Sequence, residues 1–169
     1  MKRLLLLRHG KSDWNNPDQP DNERPLNARG QRAAALMGAY LRQRDLIPEL
    51  ILSSPAVRTR ETAHRVVSAL QAEVALDFRA ELYLAEPKTI IEVVRAAPDT
   101  AGTLLVIGHN PGMQLAALKL SAGDSAGRRD EIEDKFPTAA LAVIEFDVDS
   151  WAEAKAGDLV AFDSPKALV

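Results

Sequence analysis

The chain has 169 residues, 46% of them hydrophobic, 27% charged and only 5% aromatic, with a formal net charge of −3 and a pI near 5.6. These figures suit one domain with a mainly aliphatic core. They exclude the highly charged, apolar-poor pattern of disordered chains and the basic footprint of a nucleic-acid binder. The absence of cysteine removes disulfides, thiolate catalysis and cysteine–metal sites.

Met1-Lys2-Arg3 and the leucines after it look superficially like a secretion signal. The apolar run ends at Arg8, too soon for a signal core, and no run approaches membrane-spanning length. A soluble cytoplasmic protein with no membrane or nucleic-acid partner is expected. Leu4 to Leu7 fits a strand buried on both faces. Arg8, His9 and Gly10 follow at once. In an open α/β sheet the ligand crevice lies outside the carboxyl ends of the strands. There His9 reads as a nucleophile and Arg8 as the holder of an anion. A strand ending in a solvated polar turn fits the same tripeptide.

Residues 11–27 are rich in Asp, Asn and Pro, the composition of a functional or disordered loop. Asn27 suits the N-cap of a helix from about Ala28 to Asp45, with Leu36, Met37, Tyr40 and Leu41 as its apolar stripe. Leu50 to Leu52 reads as a second strand. Ser54 is the expected cap and Pro55 the expected first residue of a helix to about Gln71, its inner face carrying Ala63, Val66, Val67 and Leu70. Val74 to Phe78 reads as a third strand, Arg79 to Glu86 as loop, and Pro87 to Ala97 as helix. Thr103 to Ile107 is a fourth strand, after which Gly108-His109-Asn110-Pro111 repeats the earlier punctuation. Asn110 is the expected cap and Pro111 the start of a helix to Leu120. Residues 121–135 read as a surface loop or short mobile helix. Ala139 to Phe146 and Asp158 to Phe162 read as two last strands with no helix between them, hence an antiparallel edge.

Strands alternating with helices predict an α/β fold with a mostly parallel central sheet. No repeat or interdomain linker breaks the chain, so residues 1–169 read as one domain. Parallel strands put Arg8, His9, Arg58 and His109 along one sheet edge. Any one of them could be a turn residue, but four at equivalent topological points argue for a site.

Arg8-His9-Gly10 with Ser12, Asp13, Trp14 and Asn15, then Ser53-Ser54-Pro55-Ala56-Val57-Arg58-Thr59-Arg60-Glu61-Thr62-Ala63, then Gly108-His109-Asn110, together resemble the motifs of the histidine phosphatase, or phosphoglycerate mutase-like, superfamily. Arg24-Pro25-Leu26 followed by Arg29-Gly30 is most similar to its SixA branch. The resemblance implies a three-layer fold with helices on both faces of the sheet, and a phosphatase that needs neither metal nor cofactor and works through a phosphohistidine. His9 would attack phosphorus, Arg8 and Arg58 would bind its oxygens as planar forks, and His109 would contact the phosphoryl group. A nucleophilic imidazole must be neutral, and its second nitrogen should donate to a backbone carbonyl. Asn15 corresponds to a phosphate-contacting asparagine of the mutases. Glu81 is the first candidate for general acid and Asp13 the weaker one. His64 reads as an ordinary helix residue, Trp14 and Phe136 as packing, and Arg128-Arg129 as a solvated face.

The substrate expected from the SixA resemblance is phosphohistidine on a signalling protein, such as a histidine phosphotransfer domain. Alternatives within the family are a mutase or a phosphomonoesterase acting on small phosphate esters. Outside it, a phosphoprotein-binding module would need the arginines but not a free histidine. A metal-dependent hydrolase using His9, Asp13 and His109 is disfavoured because neighbouring arginines repel a cation.

Overall fold

The computed structural model describes residues 1–168. Its first strand, β1 (Lys2–Arg8), carries the four leucines, each 0% exposed. Alternation along the strand sends Leu4 and Leu6 to one face and Leu5 and Leu7 to the other, so two separate cores close on this one segment. Burial on this scale is worth about 1.5–3 kcal/mol per leucine.

The chain continues through α1 (Ala28–Gln43), β2 (Leu50–Ser53), α2 (Val57–Leu70), β3 (Ala75–Phe78), α3 (Pro87–Arg95), β4 (Thr103–Gly108), α4 (Gly112–Leu120), β5 (Ser121–Gly123), α5 (Arg129–Asp134), β6 (Leu141–Phe146), β7 (Gly157–Asp163) and α6 (Pro165–Leu168). The seven strands form one sheet in the order β3-β2-β4-β1-β6-β7-β5. β1 lies parallel to β4, which lies parallel to β2, which lies parallel to β3. β6 pairs antiparallel with both β1 and β7. The result is the expected mostly parallel sheet, with antiparallel pairing on one side. Met37, Leu41 and Val66 of α1 and α2 cover the face bearing Leu5 and Leu7. Ile90, Val94 and Met113 of α3 and α4 cover the other. No helix is long and apolar enough to cross a membrane among the described residues.

Asn27 caps α1 as expected, its Oδ1 accepting from Gly30 N at 2.8 Å. Elsewhere the helix starts differ. α2 begins at Val57 rather than Pro55, with Ala56, which has no side-chain acceptor, in the cap position, while Ser54 Oγ accepts from Ala56 N at 3.4 Å and faces His109 Nε2. α4 begins at Gly112, although Asn110 Oδ1 still accepts from Gln114 N. Residues 121–135 include the short helix expected there and a short strand that was not. Ser121 to Gly123 pair with β7 and residues 129–134 are helical. The strand expected from Ala139 begins only at Leu141. Ala139 has a left-handed φ of 61° and spends its N–H on the carbonyl of His9 at 2.9 Å, outside the ladder.

Candidate active site

Three parallel strands end side by side. Arg8 is in register with Gly108, and Ser53 with Ile107, so the residues following β1, β2 and β4 emerge along one edge. His9 follows β1, His109 follows β4, and Arg58 projects from the first turn of α2 after β2. Gly10 N donates to Thr62 Oγ1 at 3.1 Å, which ties the turn after β1 to α2. Together they line a crevice of about 330 Å³ with Lys11, Ser12, Asp21, Arg24, Asn110 and Thr138.

His9 is 7% exposed. Its Nδ1 stands 2.6 Å from the Gly10 carbonyl oxygen, an acceptor only, so Nδ1 carries the proton and Nε2 keeps its lone pair. Burial pushes the ring's pKa down to about 4. The Gly10 bond opposes this, and the nearby Arg58, Arg8 and Arg24 charges reinforce it. The ring of His109 lies 5.3 Å from that of His9. Arg58 Nη2, which can only donate, is 3.3 Å from His109 Nδ1. That leaves the ring proton on Nε2, which faces Ser54 Oγ at 2.8 Å. Burial, then the proximity of His9 and Arg58, pushes His109 down to about 3. Both imidazoles are therefore neutral at pH 7.

Three guanidinium groups surround this pair. Arg58 is 3% exposed and donates through Nη1 to the Asp21 carbonyl at 2.7 Å and through Nη2 to Asp21 Oδ2 at 3.0 Å. Arg24 donates to Ser12 Oγ at 3.0 Å and to Asp21 Oδ1 at 2.7 Å, with its plane 3.4 Å above the Trp14 ring. Arg8 donates through Nη1 to the Phe136 carbonyl at 2.9 Å, while its buried Nε has no partner among the described residues. A buried guanidinium N–H without an acceptor is costly. Burial, then Arg58, lowers the Arg8 pKa from its ordinary value. Among the described residues, the only carboxylate lining the crevice is Asp21. Burial raises its pKa, but hydrogen bonds from Tyr83, Arg24 and Arg58 outweigh this and hold it well below the usual carboxylate range. Three guanidinium groups and the Lys11 ammonium against one carboxylate suit a doubly charged phosphoryl group.

His9, Arg8, Arg58 and His109 thus come together. Glu81 and Asn15 do not. Glu81 is drawn to Arg79 Nε at 2.7 Å, and neither residue lines the crevice. The Asn15 side chain is exposed on a turn that Asp13 Oδ1 closes by accepting Asn15 N at 2.7 Å. Trp14 is not core packing. It is 72% exposed and forms part of the crevice wall under Arg24. Phe136 is buried and its carbonyl braces Arg8 and Asn110. His64 is exposed on α2, as a plain helix residue should be. Arg128 and Arg129 are tied into local ion pairs.

The sequence reading gave no role to Asp21 or Tyr83, took Ser54 as a helix cap, and met Arg24 only as part of a motif. Asp21 lies among several acids of one polar loop, and nothing local separates it from the rest. What selects it is the pairing of Ser12 with Leu26, which folds that loop back over the crevice.

Comparison with known proteins adds the following. The sequence profile of the histidine phosphatase superfamily (branch 1) matches residues 4–82. An uncharacterised protein of Mycobacterium tuberculosis is 36% identical over 95% of this chain and 100% of its own length. The structure of a candidate phosphohistidine phosphatase SixA from Nakamurella multipartitia superposes with a TM-score of 0.84 at 27% identity, covering 97% of this chain and 96% of that one. The protein histidine phosphatase SixA complexed with tungstate shares the fold at a TM-score of 0.81 and 22% identity, over 99% of each chain.

Proposed function

The chain belongs to the histidine phosphatase superfamily, and from that premise we propose that it is a metal-independent phosphatase that removes phosphate from phosphohistidine on a signalling protein. His9 Nε2 attacks phosphorus in line, and the leaving nitrogen of the substrate takes its proton from solvent. Arg8 and Arg58 hold the equatorial oxygens, supplying the charge neutralisation that metal ions supply in kinases. Water then attacks the phosphorus of phospho-His9. The P–N bond breaks, Nε2 is regenerated with its lone pair, and inorganic phosphate leaves.

What favours phosphohistidine over an alkyl ester is the state of Asp21. It is the one carboxylate lining the crevice among the described residues, and its partners hold it ionised, so it has no proton to give. An alkoxide leaving group needs a strong acid in the transition state, and a phosphoramidate bond breaks without one. The SixA relatives point the same way. The test compares kcat/KM on a histidine-phosphorylated phosphotransfer domain with kcat/KM on phosphoglycerates and sugar phosphates, all with EDTA present. The domain is expected to be preferred. A tenfold preference for a metabolite, about 1.4 kcal/mol in transition-state binding, overturns the protein-substrate reading. Abolition of activity by EDTA overturns metal independence.

The histidine environments also set a pH dependence. A ring with the ordinary value loses its lone pair below about pH 6.5. A His9 pKa pushed down to about 4 keeps Nε2 free throughout the interval between them. After division by the substrate's own ionisation, kcat/KM is therefore expected to hold below pH 6 and to fall only toward pH 4. An acid limb centred near 6.5 would contradict a buried neutral nucleophile.

A further inference from the structure

The crevice does not end at Lys11 and Thr138. The same two residues line a second hollow of about 430 Å³, ringed by Arg29, Lys135 and Lys166. A third hollow of about 570 Å³ continues past Arg29 and Lys166 to Arg32. No Asp or Glu lines either one. None of these five cations pairs with a carboxylate among the described residues. The whole chain carries 24 acidic and 21 basic residues, so an all-basic strip is a local segregation and not the average surface.

Two further observations bear on it. α1 has no acidic residue in its first turn and carries Arg29 there instead, against the helix dipole, whose positive end and Arg29 both favour an anion. The strip is also fixed relative to His9. Asn27 N donates to the Lys11 carbonyl at 2.9 Å. A Cβ on Gly30 would stand 2.1 Å from the same oxygen, so α1 starts in direct contact with the turn after β1.

We propose that this strip is the docking surface for the phosphorylated protein, and that the partner presents acidic side chains beside its phosphohistidine. The inference rests on the protein-substrate reading above. A phosphohistidine reaching His9 brings its surrounding surface down over one flank of the crevice. Two adjoining hollows sharing Arg29 and Lys166 are too broad a strip for the single second anion of a metabolite, and they match an acidic protein face.

The test uses the full chain with Arg29→Glu and Lys166→Glu together, neither of which lines the crevice. Its probes are a histidine-phosphorylated phosphotransfer domain with acidic residues flanking the histidine, free phosphohistidine, and a phosphoglycerate. At low ionic strength the variant is expected to lose about tenfold or more in kcat/KM on the domain, through slower association, and to be unchanged on free phosphohistidine. The salt dependence of the wild-type reaction on the domain should flatten in the variant. Changing the domain's flanking acids to amides should cost the wild-type chain a similar factor and cost the variant little more. Undiminished activity of the variant on the domain overturns the docking surface and leaves the protein-substrate reading standing. So does an equal loss on the domain and on free phosphohistidine. A loss confined to the phosphoglycerate reassigns the strip to a metabolite's second anion and overturns the proposal. Wild-type activity on free phosphohistidine with none on the domain removes the protein-substrate reading and the docking surface together.

Discussion

Chain quenched within its first turnover of radiolabelled phosphosubstrate is expected to carry a label on His9 that is labile in acid and stable in alkali, the behaviour of a phosphoramidate. His9→Ala should carry none and should lose turnover altogether, because no other group in the crevice can replace the lone pair on Nε2. His109 stands nearest, but its Nδ1 accepts from Arg58 and its Nε2 faces Ser54. The Gly10 carbonyl makes this more than a statement about proximity. By accepting a hydrogen bond from Nδ1–H it keeps the proton on that nitrogen and leaves the Nε2 lone pair as the only one on the ring, so the label should sit on Nε2. Label on Ser12 or Ser54 would reassign the nucleophile. Both hydroxyls are near, but Ser12 accepts from Arg24 and Ser54 is engaged with His109.

Replacement of Arg58 should have the next largest effect. Arg58→Ala is expected to slow kcat/KM by about 10²–10³, the range seen when one donor to a developing oxyanion is removed. Here the loss has two sources. The phosphoryl oxygens lose a donor, and Asp21 loses one of its partners, which leaves a less compensated negative charge facing the incoming phosphate. Arg58→Lys should recover little. Arg58 reaches the Asp21 carbonyl, the Asp21 carboxylate and His109 from one planar group, and a single ammonium cannot span them. Full activity in Arg58→Ala would remove the residue from the site. A variant carrying Arg58→Ala and Asp21→Asn should be less impaired than Arg58→Ala alone, which separates the two sources.

The parts of this site legible in the sequence were those set by position at a strand end. Arg8, His9 and His109 stand where an apolar run stops, and parallel strands bring such points together whatever lies between them. Arg58 was legible because the helix after β2 starts at the same edge. Glu81 and Asn15 were inferred from correspondence along the chain, and neither lines the crevice. Glu81 turns to Arg79, which is two residues away and needs no long-range contact to reach it. Asp21 had the opposite history. It sits 37 residues from Arg58 and 62 from Tyr83 in sequence, and only the folded loop brings the three together. The antiparallel pair β6–β7 was legible from two strand patterns without a helix between them. Short β5 was not, since three residues with one buried side chain leave no period to read.

The place of β1 in the sheet has a consequence for how the protein is made. β1 lies between β4 and β6, so neither neighbour exists until synthesis has passed residues 103–108 and 141–146. At translation speeds of about 5–20 residues per second, Leu4 to Leu7 wait for seconds as an unpaired run of four leucines with both edges open. That is the kind of segment that pairs with the wrong chain. The arrangement also delays chemistry. His9 is made early, but its carbonyl partner Ala139 and its neighbour His109 come late. A nascent chain therefore holds the nucleophile long before it has a pocket, and competence arrives in one step when the middle of the sheet closes.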